Sequence, residues 1–227
     1  MKLTVIIPVF NEKATIEQII KKVKKVPVEK EIIVVDDGST DGTAEILKEI
    51  SEKDRNIKII LKEKNEGKGS AIREGLKYVN GDVVVIQDAD LEYEPTDWIK
   101  MLKFMEEKKA DVVYGSRVLG KNKKSSFVFY LGGRILSAIA NFLYGAGITD
   151  EPTCYKMFNT EIIKSLNLKC RGFEFCPEVT AKIRKKGIKI YEVPIHYNPR
   201  SIKEGKKIRW KDGIIAIWTL IKYRFTD

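Results

Sequence analysis

Leu3-Thr4-Val5-Ile6-Ile7-Pro8-Val9, then Ile16, Ile19, Ile20 and Val23 at helical spacing, then Glu31-Ile32-Ile33-Val34-Val35, set the class of fold. A β-branched run without polar alternation suits a parallel strand buried on both faces. Apolar residues three and four apart suit the crossover helix that joins two such strands. The pattern continues through Ala44, Ile46, Leu47 and Ile50 to further runs at Ile57–Leu61, Asp82–Ile86 and Asp111–Tyr114. Turn dipeptides punctuate it at Asp37-Gly38, Asp41-Gly42 and Asn80-Gly81. Strand and helix alternating at this length predict an α/β fold with a doubly wound, mostly parallel sheet. Ligands of such sheets bind beyond the carboxyl ends of the strands, so the residues that follow each strand carry the functional information.

Beyond residue 125 the texture changes. Phe127–Tyr144 is apolar, with Gly132, Gly133 and Arg134 inside it, and an irregular patch, Gly145–Phe158, follows. A helical stretch around Glu178–Lys186, a strand over Lys189–Tyr197, a basic segment Pro199–Lys211 and an apolar, aromatic end, Gly213–Phe225, complete the chain. The expected organisation is one domain over residues 1–211 and a C-terminal amphipathic helix over 212–227.

The 227 residues carry a net charge of +10. Between Lys182 and Lys211 stand eleven Lys or Arg against two acids, Glu192 and Glu204. Such an excess attracts nucleic acid, an anionic membrane or a phosphorylated substrate. Nucleic acid is disfavoured, since acids clustered after strands repel phosphates. Three cysteines without Cys-X-X-Cys spacing and a single histidine argue against structural zinc and for reduced thiols in a cytosolic protein. Leu3–Val9 is too short for a secretory leader, and no apolar stretch of about 20 residues offers a span.

Asp88-Ala89-Asp90, with Glu92 close behind, follows the run Asp82–Ile86 directly. Acids at alternate positions converge if the backbone stays extended, and oxygen ligands of this kind suit Mg²⁺ or Mn²⁺ bridging a diphosphate. The competing reading is a solvated loop that caps the next helix. In Asp36-Asp37-Gly38-Ser39-Thr40-Asp41-Gly42, Asp41 is expected to cap the helix at Thr43 and Asp37 to face a ligand. Gly67-Lys68-Gly69 is too short for a Walker loop, leaving Lys68 either near a nucleotide or in solvent.

Taken in order, Val5–Glu12, Val34–Ser39, Asn65–Ala71 and Asp88–Asp90 resemble glycosyltransferase family 2, which has the GT-A fold. Gly115-Ser116-Arg117, Glu192–Ile195 and Arg200 are similar to the dolichyl-phosphate mannose and glucose synthases within it. The resemblance implies that Pro8, Phe10, Glu12, Val35 and Asp37 hold the nucleoside. It implies that Asp88, Ala89 and Asp90 hold the diphosphate, and that Asp88, Asp90 and Glu92 hold the metal. Glu92 departs from the Gln of several mannosyl members, which leaves GDP-mannose and UDP-glucose both open as donor.

Arg117, Arg134 and Arg200 are the implied phosphate ligands and, with Asp90, the catalytic set. Arg134 has a second reading, a side chain snorkelling from a helix edge. A dianionic polyprenyl phosphate attacks without a general base, so the reaction rests on alignment and charge neutralisation and inverts the anomeric centre. Phe127–Tyr144 and Ile214–Phe225 read as helices in a membrane interface or, alternatively, as core. The expected setting is the inner membrane face, bound peripherally or through an anchoring partner protein. The runner-up is a glycan-extending family 2 enzyme using Asp150 or Glu151 as base. The basic segment is expected to stay open until substrates bring counter-charge.

Overall fold

The computed structural model describes residues 1–122, 126–200 and 207–226. The alternating half forms as expected: β1 (Leu3–Val9), α1 (Ile16–Lys25), β2 (Lys30–Asp36), α2 (Thr43–Lys53), β3 (Ile57–Leu61), α3 (Lys68–Leu76), β4 (Val83–Ile86), α4 (Asp97–Lys108) and β5 (Val112–Ser116). β1 and β4 are buried along their whole length, which is why neither shows polar alternation. The helix α1 turns Ile16, Ile19, Ile20 and Val23 inward and its lysines outward.

The second half adds α5 (Phe127–Tyr144), β6 (Lys156–Asn159), α6 (Thr160–Lys164), α7 (Phe175–Lys185), β7 (Tyr191–Pro194) and α8 (Trp210–Phe225). The sheet has seven strands in the order β3-β2-β1-β4-β6-β5-β7, all pairs parallel except those of β6. β6 was not expected, because it lies in the stretch read as irregular and carries a lysine. Lys156 is fully buried there and its charge is satisfied locally. Its Nζ donates to the carbonyls of Glu151 at 2.5 Å and Thr153 at 2.9 Å, and it lies 4.2 Å from the Tyr114 ring centroid. β7 is shorter than the Lys189–Tyr197 expected. After Pro194 the chain leaves the sheet, and Tyr197 bridges instead to Tyr93.

The order β2-β1-β4 brings the carboxyl ends of three strands side by side, so that Phe10–Glu12, Asp37 and Asp88–Asp90 border one cleft. The helices α5 and α8 pack on each other and on α7 beside that cleft. The helix α5 buries Leu136, Ala140 and Tyr144, four residues apart, and α8 buries Ala216, Thr219, Leu220 and Tyr223. The Tyr144 hydroxyl donates to the Leu220 carbonyl at 2.6 Å. Both helices also expose large apolar side chains: Phe127, Val128 and Phe142 on α5, and Trp210, Ile214, Trp218 and Phe225 on α8. Among the described residues α5 alone is long and apolar enough to cross a membrane, at 18 residues and a mean hydropathy of 1.4, where the sequence reading judged it too short.

Leu220 is 0% exposed and Trp218 62% exposed on one helix. Leu220→Ala should therefore cost about 2–5 kcal/mol of unfolding free energy. Trp218→Ala should stay within about 0.5 kcal/mol. Urea melts of the two variants check that α8 is docked through one stripe.

Candidate active site

The cleft has a volume of about 800 Å³, and its lining contains Pro8, Phe10, Glu12, Asp37, Asp88, Ala89, Asp90, Glu92, Arg117 and Arg200. Two expected site residues lie elsewhere. Val35 is 0% exposed inside β2 and packs in the core, so it presents no surface to a nucleoside. Arg134 lies on the exposed side of α5, off the cleft, where its Nη1 donates to the Thr149 carbonyl at 2.9 Å.

The acids after β4 do not stay extended. The chain turns at Ala89–Asp90, and Leu91 takes φ 62°, a left-handed conformation costly for a branched residue and typical of functional sites. The turn sends the acids to different partners. Asp88 Oδ1 meets Lys68 Nζ at 2.5 Å. Lys68 is thus neither free in solvent nor idle: burial opposes its charge, yet Asp88 raises its pKa. Burial likewise opposes ionised Asp88, and Lys68 outweighs it and lowers the carboxyl's pKa.

Asp90 is pushed up to about 7, first by burial and then by the charges of Asp88 and Glu92. Glu92 accepts from the Tyr197 hydroxyl at 2.7 Å and the Arg200 backbone N–H at 2.8 Å. Among the described residues no three His, Cys, Asp or Glu side chains converge on a metal position, so the three-acid set expected from the sequence is not assembled. Asp88 is held by Lys68, while Asp90 and Glu92 share Arg200. Two carboxylates with a diphosphate would be a sufficient ligand set for a hard divalent ion.

Asp37 is buried and already bonded. It takes Lys62 Nζ at 2.5 Å, the Gly67 N–H at 2.6 Å and the Glu66 N–H at 3.1 Å. It therefore pins the Asn65–Gly67 loop at the cleft wall, besides lining the cleft itself. Gly67 holds φ +101°, and a Cβ there would lie 2.4 Å from the Arg171 carbonyl oxygen, so only glycine fits. Asp41 accepts from the Thr43 N–H at 3.0 Å at the start of α2, as expected.

Arg117 grips Asp150 through Nε and Nη2, both at 2.7 Å. Burial opposes the charge of each, and their pairing outweighs it, raising the arginine and lowering the carboxyl. Glu151 is 0% exposed and its pKa is raised by burial. Asp150 is committed to Arg117, whereas Glu151 takes the Thr180 hydroxyl on Oε1 at 3.1 Å, has no hydrogen-bond partner on Oε2 among the described residues, and is among the residues lining the cleft.

The basic segment differs from expectation at both of its described ends. Arg200 already reaches Asp90 Oδ2 at 3.1 Å and Glu12 Oε1 at 3.3 Å, and Lys207 Nζ reaches Glu12 Oε1 at 2.7 Å. The acids of the site supply the counter-charge. Lys203, Gly205 and Lys206 lie outside the described residues. The sequence reading missed Cys154, Cys176, Phe173 and Phe175, which also line the cleft. All three cysteines are free thiols, and burial pushes the Cys154 and Cys176 thiols up, so both are poor nucleophiles.

A doubly wound sheet with paired aspartates at the end of its central strand is the layout of a GT-A glycosyltransferase. The chain belongs to glycosyl transferase family 2, whose family model matches residues 4–166. Haloferax volcanii low-salt glycan biosynthesis hexosyltransferase Agl6 is 31% identical over 204 residues, 87% of this chain and 48% of that protein. Pyrococcus furiosus dolichol-phosphate mannosyltransferase is 31% identical over 215 residues, 91% of this chain and 59% of that protein. The chain thus spans roughly half the length of these two relatives. Mycobacterium tuberculosis glucosyl-3-phosphoglycerate synthase, solved with Mn²⁺, UDP and glucosyl-3-phosphoglycerate, shares the fold with a TM-score of 0.75 at 22% identity, over 98% of this chain and 79% of that one.

The raised Asp90 has a measurable consequence. Its carboxyl titrates near 7 folded, against 3.8 as the ordinary value, so the folded state binds the extra proton between those pH values. Its contribution to stability is complete below about pH 4 and is lost as pH rises through about 7. Without divalent metal, Asp90→Asn should flatten the fall in melting temperature between pH 5 and 7, as read by calorimetry.

Proposed function

We propose that the chain is an inverting hexosyltransferase that moves mannose or glucose from GDP-mannose or UDP-glucose to a dolichyl or polyprenyl phosphate, with Mg²⁺ or Mn²⁺ as cofactor. One observation carries the choice of acceptor. The cleft lining runs from Asp88 and Asp90, past Arg117 and Arg200, to Leu136, Gly213 and Ala216 on α5 and α8. The other sides of those helices expose Phe142, Trp210, Trp218 and Phe225. A substrate with a phosphate head and an apolar tail matches both surfaces. The relatives' names, a dolichol-phosphate mannosyltransferase and a hexosyltransferase, support the same reading.

In this reading Phe10, Glu12 and Asp37 bound the nucleoside, and Asp90 with Glu92 holds the metal. Bound there, the metal neutralises charge on the departing diphosphate. Lys68 fixes Asp88 against the cleft floor. Asp150 orients Arg117, and Arg117 and Arg200 receive the acceptor phosphate, which attacks the anomeric carbon as a dianion. Glycan extension would need a base; Asp150 is paired with Arg117, and Glu151, which lines the cleft with one unpartnered oxygen, is the group that this second reading would use.

The helices α5 and α8, with residues 212–227 as the C-terminal piece, lie at the inner membrane face. Trp210, Trp218, Lys211, Lys222 and Arg224 suit an interface, and Arg134 on the exposed side of α5 adds attraction for anionic headgroups. The helix α5 is docked along Leu136, Ala140 and Tyr144, which favours a helix resting on the membrane surface over one that crosses it. An anchoring partner or segment completes the attachment.

A thermal-shift panel of GDP-mannose and UDP-glucose with Mn²⁺ should identify one stabilising donor. Asp90→Ala should then lower transfer to polyprenyl phosphate by at least about 10²-fold while the fold remains intact by circular dichroism; undiminished transfer overturns the assignment. Trp218→Glu should weaken sedimentation with vesicles containing anionic lipid, without changing donor binding.

A further inference from the structure

Arg200 stands where a divalent cation belongs. Its Nη2 lies 3.1 Å from Asp90 Oδ2 and 3.3 Å from Glu12 Oε1, and its Nε lies 3.7 Å from Glu92 Oε1. The backbone holds it there, since the Arg200 N–H donates to Glu92 Oε1 at 2.8 Å and the Asn198 N–H to the Glu92 carbonyl at 2.8 Å. Yet the fit is incomplete. Nε is buried without a hydrogen-bond partner, whereas Arg117 places both Nε and Nη2 at 2.7 Å on one carboxylate. A tightly matched guanidinium makes the short paired contact of Arg117. Arg200 also forks onto Glu12, Nη1 to Oε2 and Nη2 to Oε1, but both bonds are 3.3 Å long and Nη2 is shared with Asp90 Oδ2 at 3.1 Å, so its hold on Asp90 and Glu92 is the looser part of its contact set.

We infer that Arg200 is a built-in counter-cation that competes with the divalent metal for Asp90 and Glu92. The free enzyme then binds metal weakly, and metal and nucleotide diphosphate bind together. A guanidinium on Asp90 and Glu92 repels a divalent ion brought to the same carboxylates, and in a partly buried site that repulsion weakens metal binding. The donor diphosphate resolves the conflict by adding the negative charge and oxygen ligands that favour the metal over Arg200, which is released toward the acceptor phosphate. Linkage makes the effect reciprocal: nucleotide tightens metal as much as metal tightens nucleotide, typically by about 5–150-fold. Lys207 reaches Glu12 and the backbone carbonyls of Phe10 and Asn11, so it is the internal control. The inference rests on the proposal that Asp90 and Glu92 hold the metal.

The test is Mn²⁺ binding by the full chain, read from the spin signal of the free ion, with and without UDP or GDP. Arg200→Ala should bind Mn²⁺ alone about tenfold tighter than the unsubstituted chain and should gain less from added nucleotide. Arg200→Gln, which keeps most of the side-chain stem, should do the same and serves if Arg200→Ala is unstable. Lys207→Ala should leave the metal-only affinity within about twofold, apart from general charge effects. Unchanged or weaker Mn²⁺ binding in both Arg200 variants overturns the inference, as does an equal gain in Lys207→Ala. If no chain takes up Mn²⁺ even with nucleotide bound, the metal assignment falls and the inference with it.

Discussion

Negative charge gathered at the carboxyl ends of parallel strands has to be balanced, and much of the second half of the chain is arranged around that balance. β1, β2 and β4 are adjacent and parallel, so the residues that follow them cannot avoid one another. Glu12, Asp37, Asp88 and Asp90 meet in one cleft, each with a cation drawn from elsewhere. Lys62 serves Asp37, Lys68 serves Asp88, and Arg200 serves Asp90 and Glu12. Those cations come from the end of β3, the start of α3 and the segment beyond β7. The charge pattern therefore ties distant parts of the chain to the sheet edge.

The pairings differ in character, and the difference separates scaffold from machinery. Asp37 accepts two backbone N–H groups besides Lys62, and Asp150 is matched to Arg117 by two short bonds. Breaking either leaves a buried charge uncompensated, which is strongly unfavourable. Asp90 has Arg200 at 3.1 Å, yet burial and then the charges of Asp88 and Glu92 push its carboxyl up to about 7. A carboxyl crowded by like charge is where an incoming cation gains most.

The helices α5 and α8 solve a separate problem. Each buries one stripe against the domain and leaves another apolar stripe in the open. Exposed apolar area on that scale is unfavourable in water and favourable in a lipid interface, and the same two helices also give Leu136 and Ala216 to the cleft lining. A charged pocket opening beside a lipid-facing surface suits a substrate that is itself half phosphate and half hydrocarbon.

The doubly wound sheet was legible in the sequence because buried parallel strands have no polar alternation and their crossovers repeat at 3.6 residues. Leu3–Val9 and its successors carry that information locally. The acids after β4 were legible for the same reason, as strand ends are local features. β6 was not, since it is four residues long and its Lys156 is acceptable only because the carbonyls of Glu151 and Thr153 and the Tyr114 ring surround it. Nor could the sequence distribute partners among the acids. That Lys68 claims Asp88, that Asp150 claims Arg117, that Val35 faces the core and that Arg134 lies off the cleft depend on contacts between residues far apart in the chain. The sequence by itself determined which charges and strands are present. Only the tertiary structure decided which charges neutralise each other and which remain for a ligand, because Coulomb interactions at ion-pair range are set by position in space and not by position along the chain.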